Sequence, residues 1–214
     1  MASGERIVYS VLHGSDAEIF IKNAGSSDNG QMLQTGLAGW KIISDVSPDG
    51  GSILYQHQTE AGKEATIYGQ SLIEGKPFLI GAAPEDELPR LSPDGGWVAI
   101  PSDESSSVEI LVRPFAPGAG AGTQVSFGGG HDPRWGRDGK ELFYRTNDWH
   151  VVAVPVLDLK QHRFGKPVTL FQLPEGTEYD VVNGKHFLVN EPVGPATAPL
   201  FVIANWKPEP PKSE

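Results

Sequence analysis

The sequence predicts an all-β chain assembled from one repeated unit of short antiparallel strands, and three observations predict it. A turn motif recurs. "SPDGGSILYQ" begins at Ser47 and "SPDGGWVAIP" at Ser92, with weaker copies in "SGERIVYSV" from Ser3, "GRDGKELFYR" from Gly136 and "VNGKHFLVN" from Val182. The turn glycines Gly4, Gly50, Gly95, Gly139 and Gly184 are spaced by 46, 45, 44 and 45 residues, a repeat period. Each turn precedes a short apolar run, and the 26 glycines and 18 prolines punctuate a chain with no helical periodicity.

The turn has a mechanism. Proline presets the first turn dihedral, aspartate bonds the local backbone, and glycine takes the left-handed conformation that closes the turn. Three residues past each glycine stand Ile7, Ile53, Val98, Leu142 and Phe187; the next position holds Val8, Leu54, Ala99, Phe143 and Leu188; the next, Tyr9, Tyr55, Ile100, Tyr144 and Val189. Neighbours in a strand point to opposite faces, so apolar residues at adjacent positions predict a sheet covered on both sides in every copy.

A second strand follows in each copy: "EIFIKN" from Glu18, "ATIYGQ" from Ala65, "VEILVRPF" from Val108, "HVVAVPV" from His150 and "LFVIANW" from Leu200. A third, more polar one reads "QMLQTG", "KPFLIG", "TQVSFG" and "KPVTLF". A fourth precedes the next turn: "WKIISDV", "ELPRL", "HDPRW" and "EYDVV". Four short strands per roughly 45 residues is the unit of a β-propeller blade. The expected fold is therefore a β-propeller of four-stranded antiparallel blades, about 4 to 5 in this chain. The blades span 1–206, and the tail "KPEPPKSE", 207–214, is expected to be disordered. In the last copy one residue is deleted, so that Val-Asn-Gly replaces Val-Ser-Pro-Asp-Gly. Asn-Gly suits a tight hairpin, and the position before each turn then reads Val46, Leu91, Trp135, Val181, apolar throughout.

Composition narrows the function. A chain of 214 residues buries a core as one domain, and the tract "APGAGAG" from Ala116 reads as a mobile loop within a blade. A formal charge of −10 argues against a nucleic-acid surface. The absence of cysteine excludes disulfides and thiolate metal sites. No apolar run is long enough to span a membrane, so no membrane contact is expected within this chain. The opening "MASGERIVYS" lacks a signal peptide's apolar core and reads as a start cut just before a blade's first turn, which leaves room for a leader or anchor upstream.

The stretch "PRLSPDGGWVAIPSDESSSVEILVRPF…GGGHDPRWGRDGKELFYRTNDWHVVAVPV" resembles the TolB-like, WD-repeat-like propeller family, and most of all the propellers at the C-terminal end of bacterial transmembrane serine/threonine protein kinases. The ending "YDVVNGKHFLVN…PLFVIANW" is similar to how those domains finish. The resemblance covers Gly4 to Trp206 and implies an extracytoplasmic sensing domain. The resemblance implies six or more blades as the usual number. This chain offers three strands of a first blade, three full blades and three strands of a fifth. Two readings stand: the C-terminal part of a larger propeller, or a small propeller near five blades that closes imperfectly. Either leaves open blade edges, which favour self-association.

Gly69-Gln70-Ser71 lacks the closing glycine of a nucleophile elbow, no phosphate loop or His-Glu-x-x-His occurs, and no helix follows the "GAGAG" at Gly118. Kinase signatures are absent from the sequence. His13, His57, His131, His150, His162 and His186 show no metal-ligand spacing, so no cofactor is expected. Trp97 and Trp135 fall in or beside core strands, where packing is the default, and Trp40, Trp149 and Trp206 form no stacking platform.

The best site inference comes from equivalent positions. Asp45, Arg90, Arg134 and Asp180 share one offset on the innermost strands, and by alternation they face away from the apolar residue that follows, toward the central channel. Two arginines on neighbouring blades can hold a carboxylate or phosphate through paired hydrogen bonds. His131 and Asp132, which open an innermost strand, are assigned to the same mouth. The opposing reading is mutual neutralisation, with Arg90 and Arg134 paired to Asp45, Asp132 or Glu87 and nothing bound. The expected function is non-catalytic: sensing or interaction with a protein partner or a small anionic ligand. The alternatives are the accessory propeller of a prolyl-oligopeptidase-type hydrolase, and an enzyme with a metal site in the channel.

Overall fold

A computed structural model describes residues 6–59, 65–73, 75–104, 106–183 and 186–190. The turns at Gly4 and Gly184, the strand at 200–206 and the tail at 207–214 lie outside the described residues. All regular structure described is β, in five antiparallel sheets that follow one another along the chain. The first contains β1 (Arg6–His13), β2 (Asp16–Asn23) and β3 (Gln31–Met32). The second runs β4 (Trp40–Val46), β5 (Ser52–Gln58), β6 (Ala65–Ser71) and β7 (Phe78–Ala83). The third runs β8 (Arg90–Leu91), β9 (Trp97–Ser102), β10 (Glu109–Pro114) and β11 (Thr123–Gln124).

The fourth sheet contains β12 (His131–Trp135), β13 (Glu141–Arg145) and the nine-residue β14 (His150–Asp158), whose far edge is shared by β15 (Arg163–Phe164) and β16 (Val168–Gln172). The repeat did not point to β15. The fifth sheet pairs β17 (Glu178–Asn183) with β18 (His186–Asn190). Up-and-down meanders of four strands, three of them complete, are propeller blades.

The Ser-Pro-Asp-Gly turns build the β4–β5 and β8–β9 connections alike. Gly50 N–H donates to Ser47 O at 2.7 Å and Gly95 N–H to Ser92 O at 2.8 Å. The buried serine hydroxyls donate to Asp49 and Asp94 at 2.5 Å and accept the amides of Ser52 and Trp97 at 2.9 and 3.0 Å. Gly50 and Gly95 have φ of 68° and 71°, the left-handed region that the motif requires.

One packing rule repeats between blades. Leu54 packs with Val98, Ile100 and Leu91; Ala99 with Leu142, Tyr144 and Trp135; Phe143 with Phe187, Tyr179 and Val181. Val8 likewise meets Ile53, Tyr55 and Val46. The residue four past each turn glycine thus faces the following blade. Its two neighbours, with the apolar residue ending the innermost strand, face the preceding one.

Coverage on both faces holds for β5, β9 and β13, whose central residues are buried. It fails at the two ends. Ile7 is 44% exposed and Leu188 62% exposed, because among the described residues no sheet lies beyond the first blade or the fifth. The expectation of two covered faces in every copy is corrected on this point.

Candidate functional site

The innermost strands β4, β8, β12 and β17 bring Asp45, Arg90, Arg134 and Asp180 to the wall of one cleft of about 760 Å³. The apolar residues Leu91, Trp135, Tyr179 and Leu188 line it too. The repeat explains the convergence: equal offsets on successive innermost strands place side chains around one axis.

Arg90 and Asp45 are partnered by backbone. Arg90 donates to Ser44 O at 2.7 Å, and its buried Nε has no hydrogen-bond partner. Asp45 accepts Val46 N–H at 2.8 Å and Leu91 N–H, from the following blade, at 3.0 Å. Burial pushes the Asp45 carboxyl above its ordinary value against these bonds and the nearby arginines. Burial, then the neighbouring Arg134, lowers the Arg90 guanidinium from its ordinary value. An arginine remains a cation at neutral pH under any such shift.

Arg134 lies 3.6 Å from Asp180, donates to Pro133 O at 2.9 Å, and stands 5.6 Å from the centroid of the buried Tyr179 ring. Burial raises the Tyr179 phenol, so it stays a neutral donor, bonded to Asp132 O at 2.8 Å.

A third arginine lines the cleft. Arg137 occupies the place that Pro48 and Pro93 hold in the two complete turn motifs, and it is exposed. The site inference above missed it, although its signal was legible: the fourth copy breaks Ser-Pro-Asp-Gly at that residue.

The structure places His131 and Asp132 outside this cleft, at the other end of β12. His131 Nδ1 meets Glu87 Oε1 at 2.5 Å and Nε2 meets Asn147 Oδ1 at 2.7 Å. Asp132 N–H donates to Glu87, and Arg145 Nε donates to Asp132 at 2.8 Å while its guanidinium lies over Trp149 at 4.3 Å. A bulge between His131 and Arg134, with Asp132 at φ 50°, breaks the alternation that would have aimed Asp132 and Arg134 alike. Pro133 inside the strand was its sequence signal.

Glu87 and Asp132 are therefore hydrogen-bonded to His131 and Arg145 rather than paired directly with the channel arginines, while Asp45, Asp180 and Asp132 act on Arg90 through space. Among the described residues Arg90 has no carboxylate within ion-pair reach, and Arg134 has only the longer contact to the largely exposed Asp180.

The His131 clasp ties the β7–β8 connection to the fourth blade and sets a pH dependence. The hydrogen bond to Glu87, first, and that to Asn147 raise the imidazole's pKa against burial and Arg145. A raised folded value means that the contribution is fully present below the unfolded imidazole's value and is lost as pH rises through the folded one. The melting temperature is expected to fall between about pH 6 and pH 8 in the parent. His131→Asn should flatten that slope, and a slope unchanged in the variant would refute the assignment.

No protein-family model and no curated protein matches the sequence. In fold the chain is similar to a putative TolB from Agrobacterium tumefaciens (TM-score 0.58, 19% identity, covering 79% of this chain and 62% of that one). It is similar also to TolB from Acinetobacter baumannii (0.54, 19%, 86% and 48%) and to a prolyl endopeptidase (0.52, 15%, 82% and 27%). The chain spans less than two thirds of each. At these identities the likeness establishes the fold alone: a TolB-like β-propeller architecture.

Proposed function

We propose that this chain is a non-catalytic binding propeller whose channel mouth receives the carboxylate or phosphate of a ligand or protein partner, as the sensing part of a bacterial membrane kinase or regulator. The observation that carries the reading is the set of three arginines, Arg90, Arg134 and Arg137, on one cleft wall, with Arg90 held by a carbonyl and its Nε left without an acceptor. Guanidinium groups offer paired donors that match carboxylate and phosphate geometry. Leu91, Trp135 and Leu188 beside them favour an anion carried on an apolar group, such as a peptide's terminal carboxylate. The kinase assignment is supported by the resemblance of the repeats and of the chain's ending.

The test is calorimetric titration with inorganic phosphate and with a short peptide ending in leucine, in parallel with its C-terminal amide. Arg90→Met/Arg134→Met is expected to weaken binding at least about tenfold, with the amide peptide failing to bind the parent. Equal binding by parent and double variant would sink the reading. The prolyl-endopeptidase likeness keeps one other reading in view, an accessory propeller beside a hydrolase. It predicts a catalytic domain encoded next to this segment, where the first reading predicts kinase motifs.

A further inference from the structure

Four inter-blade interfaces in this chain are built by one rule, and half an interface is left over at each end. The first blade keeps the half that elsewhere meets a preceding blade. Ile7 and Tyr9, equivalent to the fully buried Ile53 and Tyr55, line with Val11 and Phe20 an outer cleft of about 640 Å³ walled only by that blade. The fifth blade keeps the opposite half. Leu188 is equivalent to the fully buried Leu54, Ala99 and Phe143, each of which fills the following blade's apolar face.

The leftover halves are of different kinds. Each matches the other and neither matches itself. Lys22, His13 and Asp28 line the first-blade cleft, and the exposed Glu178 and Asp180 on β17 stand where the fifth-blade face meets the channel cleft.

We propose that the outer face of the fifth blade, centred on Leu188, docks onto the Ile7–Tyr9 face of the first blade of a second copy of this chain, continuing the inter-blade packing head to tail. Such a contact is heterologous: its two sides differ, so it does not stop at a symmetric dimer unless the chain of copies closes into a ring. The order of the halves also excludes pairing of two first blades or of two fifth blades.

The experiment is light scattering after size exclusion over a concentration series, on the parent and on two variants at exposed positions. Ile7→Glu and Leu188→Glu each set a carboxylate into the apolar contact between the Leu188 face and the Ile7–Tyr9 face, and in a mixture the two altered faces repel each other. The parent is expected to gain mass with concentration beyond a dimer, and each variant alone to run as a monomer. An equimolar mixture of the two variants is expected to form a dimer and go no further, because one intact face remains on each partner. A parent monomeric at every concentration overturns the proposal, leaving those faces to blades carried on other polypeptide. So does a variant that still self-associates, or a mixture that stays monomeric. Circular dichroism melts check that both variants fold, and Ile7→Ser with Leu188→Ser replace them if either charged variant loses its β signal.

Discussion

Replacing Phe143 by alanine is expected to destabilise the protein by about 3–5 kcal/mol, the range for emptying a buried aromatic site. Phe143 is fully buried and packs with Val151, Ala153, Leu173, Tyr179 and Val181. Its ring meets Phe187 edge to face at 5.2 Å between centroids. The measurement is the denaturant midpoint, with Phe143→Leu as a milder control. A second consequence separates this site from other core positions. Phe143 seats the fifth blade, which carries Tyr179 and Asp180 to the channel cleft. Anion binding should weaken in Phe143→Ala even where the remaining blades stay folded. A variant with a shift under about 1 kcal/mol would show that the fifth blade is held by other contacts.

The second large effect is expected at Glu109, a buried carboxylate at the start of β10. It accepts Ser107 Oγ at 2.9 Å, Ser126 Oγ at 2.5 Å, Gly128 N–H at 2.8 Å and Gly129 N–H at 3.0 Å, and Ser126 Oγ in turn accepts Ile110 N–H at 2.7 Å. Glu109→Ala strips four donors of their acceptor, and an unmade buried bond costs about 1–3 kcal/mol, so a loss near 3 kcal/mol is expected. Burial alone would raise this carboxyl. The hydrogen bonds from Ser126, Gly129, Ser107 and Gly128 outweigh it and hold the group below its ordinary value. With the folded value depressed, the contribution is present above the unfolded carboxyl's pKa and disappears as pH falls through the folded one. The parent should lose stability on acidification through the carboxylate range, and Glu109→Gln should lose less over the same interval. Identical acid slopes in the two proteins would contradict this account.

The clasp at His131 shows where reading by alternation stops. Equal offset put Asp45, Arg90, Arg134 and Asp180 on one wall, and the structure brings those four to one cleft. His131 and Asp132 were grouped with them because they share the strand of Arg134. A strand containing proline does not keep its alternation, however, and the bulge there turns both residues toward Glu87, Asn147 and Arg145. Of the carboxylates expected beside the channel arginines, Asp45 stays near both, whereas Glu87 and Asp132 take their hydrogen bonds elsewhere for the same reason. Glu87 and Asp132 are close to Arg90 and Arg134 in sequence, but on a sheet the end of the strand decides what a side chain reaches.

Arg137 makes the complementary point. The sequence carried the anomaly openly, an arginine where two other copies have proline, but a turn position has no meaning until the turns of three blades are seen to rim one cleft.

By itself the sequence determined the repeat, the turns, the order of the described strands other than β15 and the apolar position that ends each innermost strand. These follow from local rules: a left-handed glycine closes a turn wherever it stands, and neighbouring strand residues point to opposite faces whatever lies beyond them. Only the tertiary structure decided which charged groups meet, which arginine lacks an acceptor, and which faces are covered. Those outcomes depend on the distance between residues about 45 positions apart, on one bulge, and on whether a further sheet lies beyond Ile7 or Leu188. Adjacent apolar residues record a preference for two covered faces, and covering them takes a neighbour that the strand's own residues do not supply.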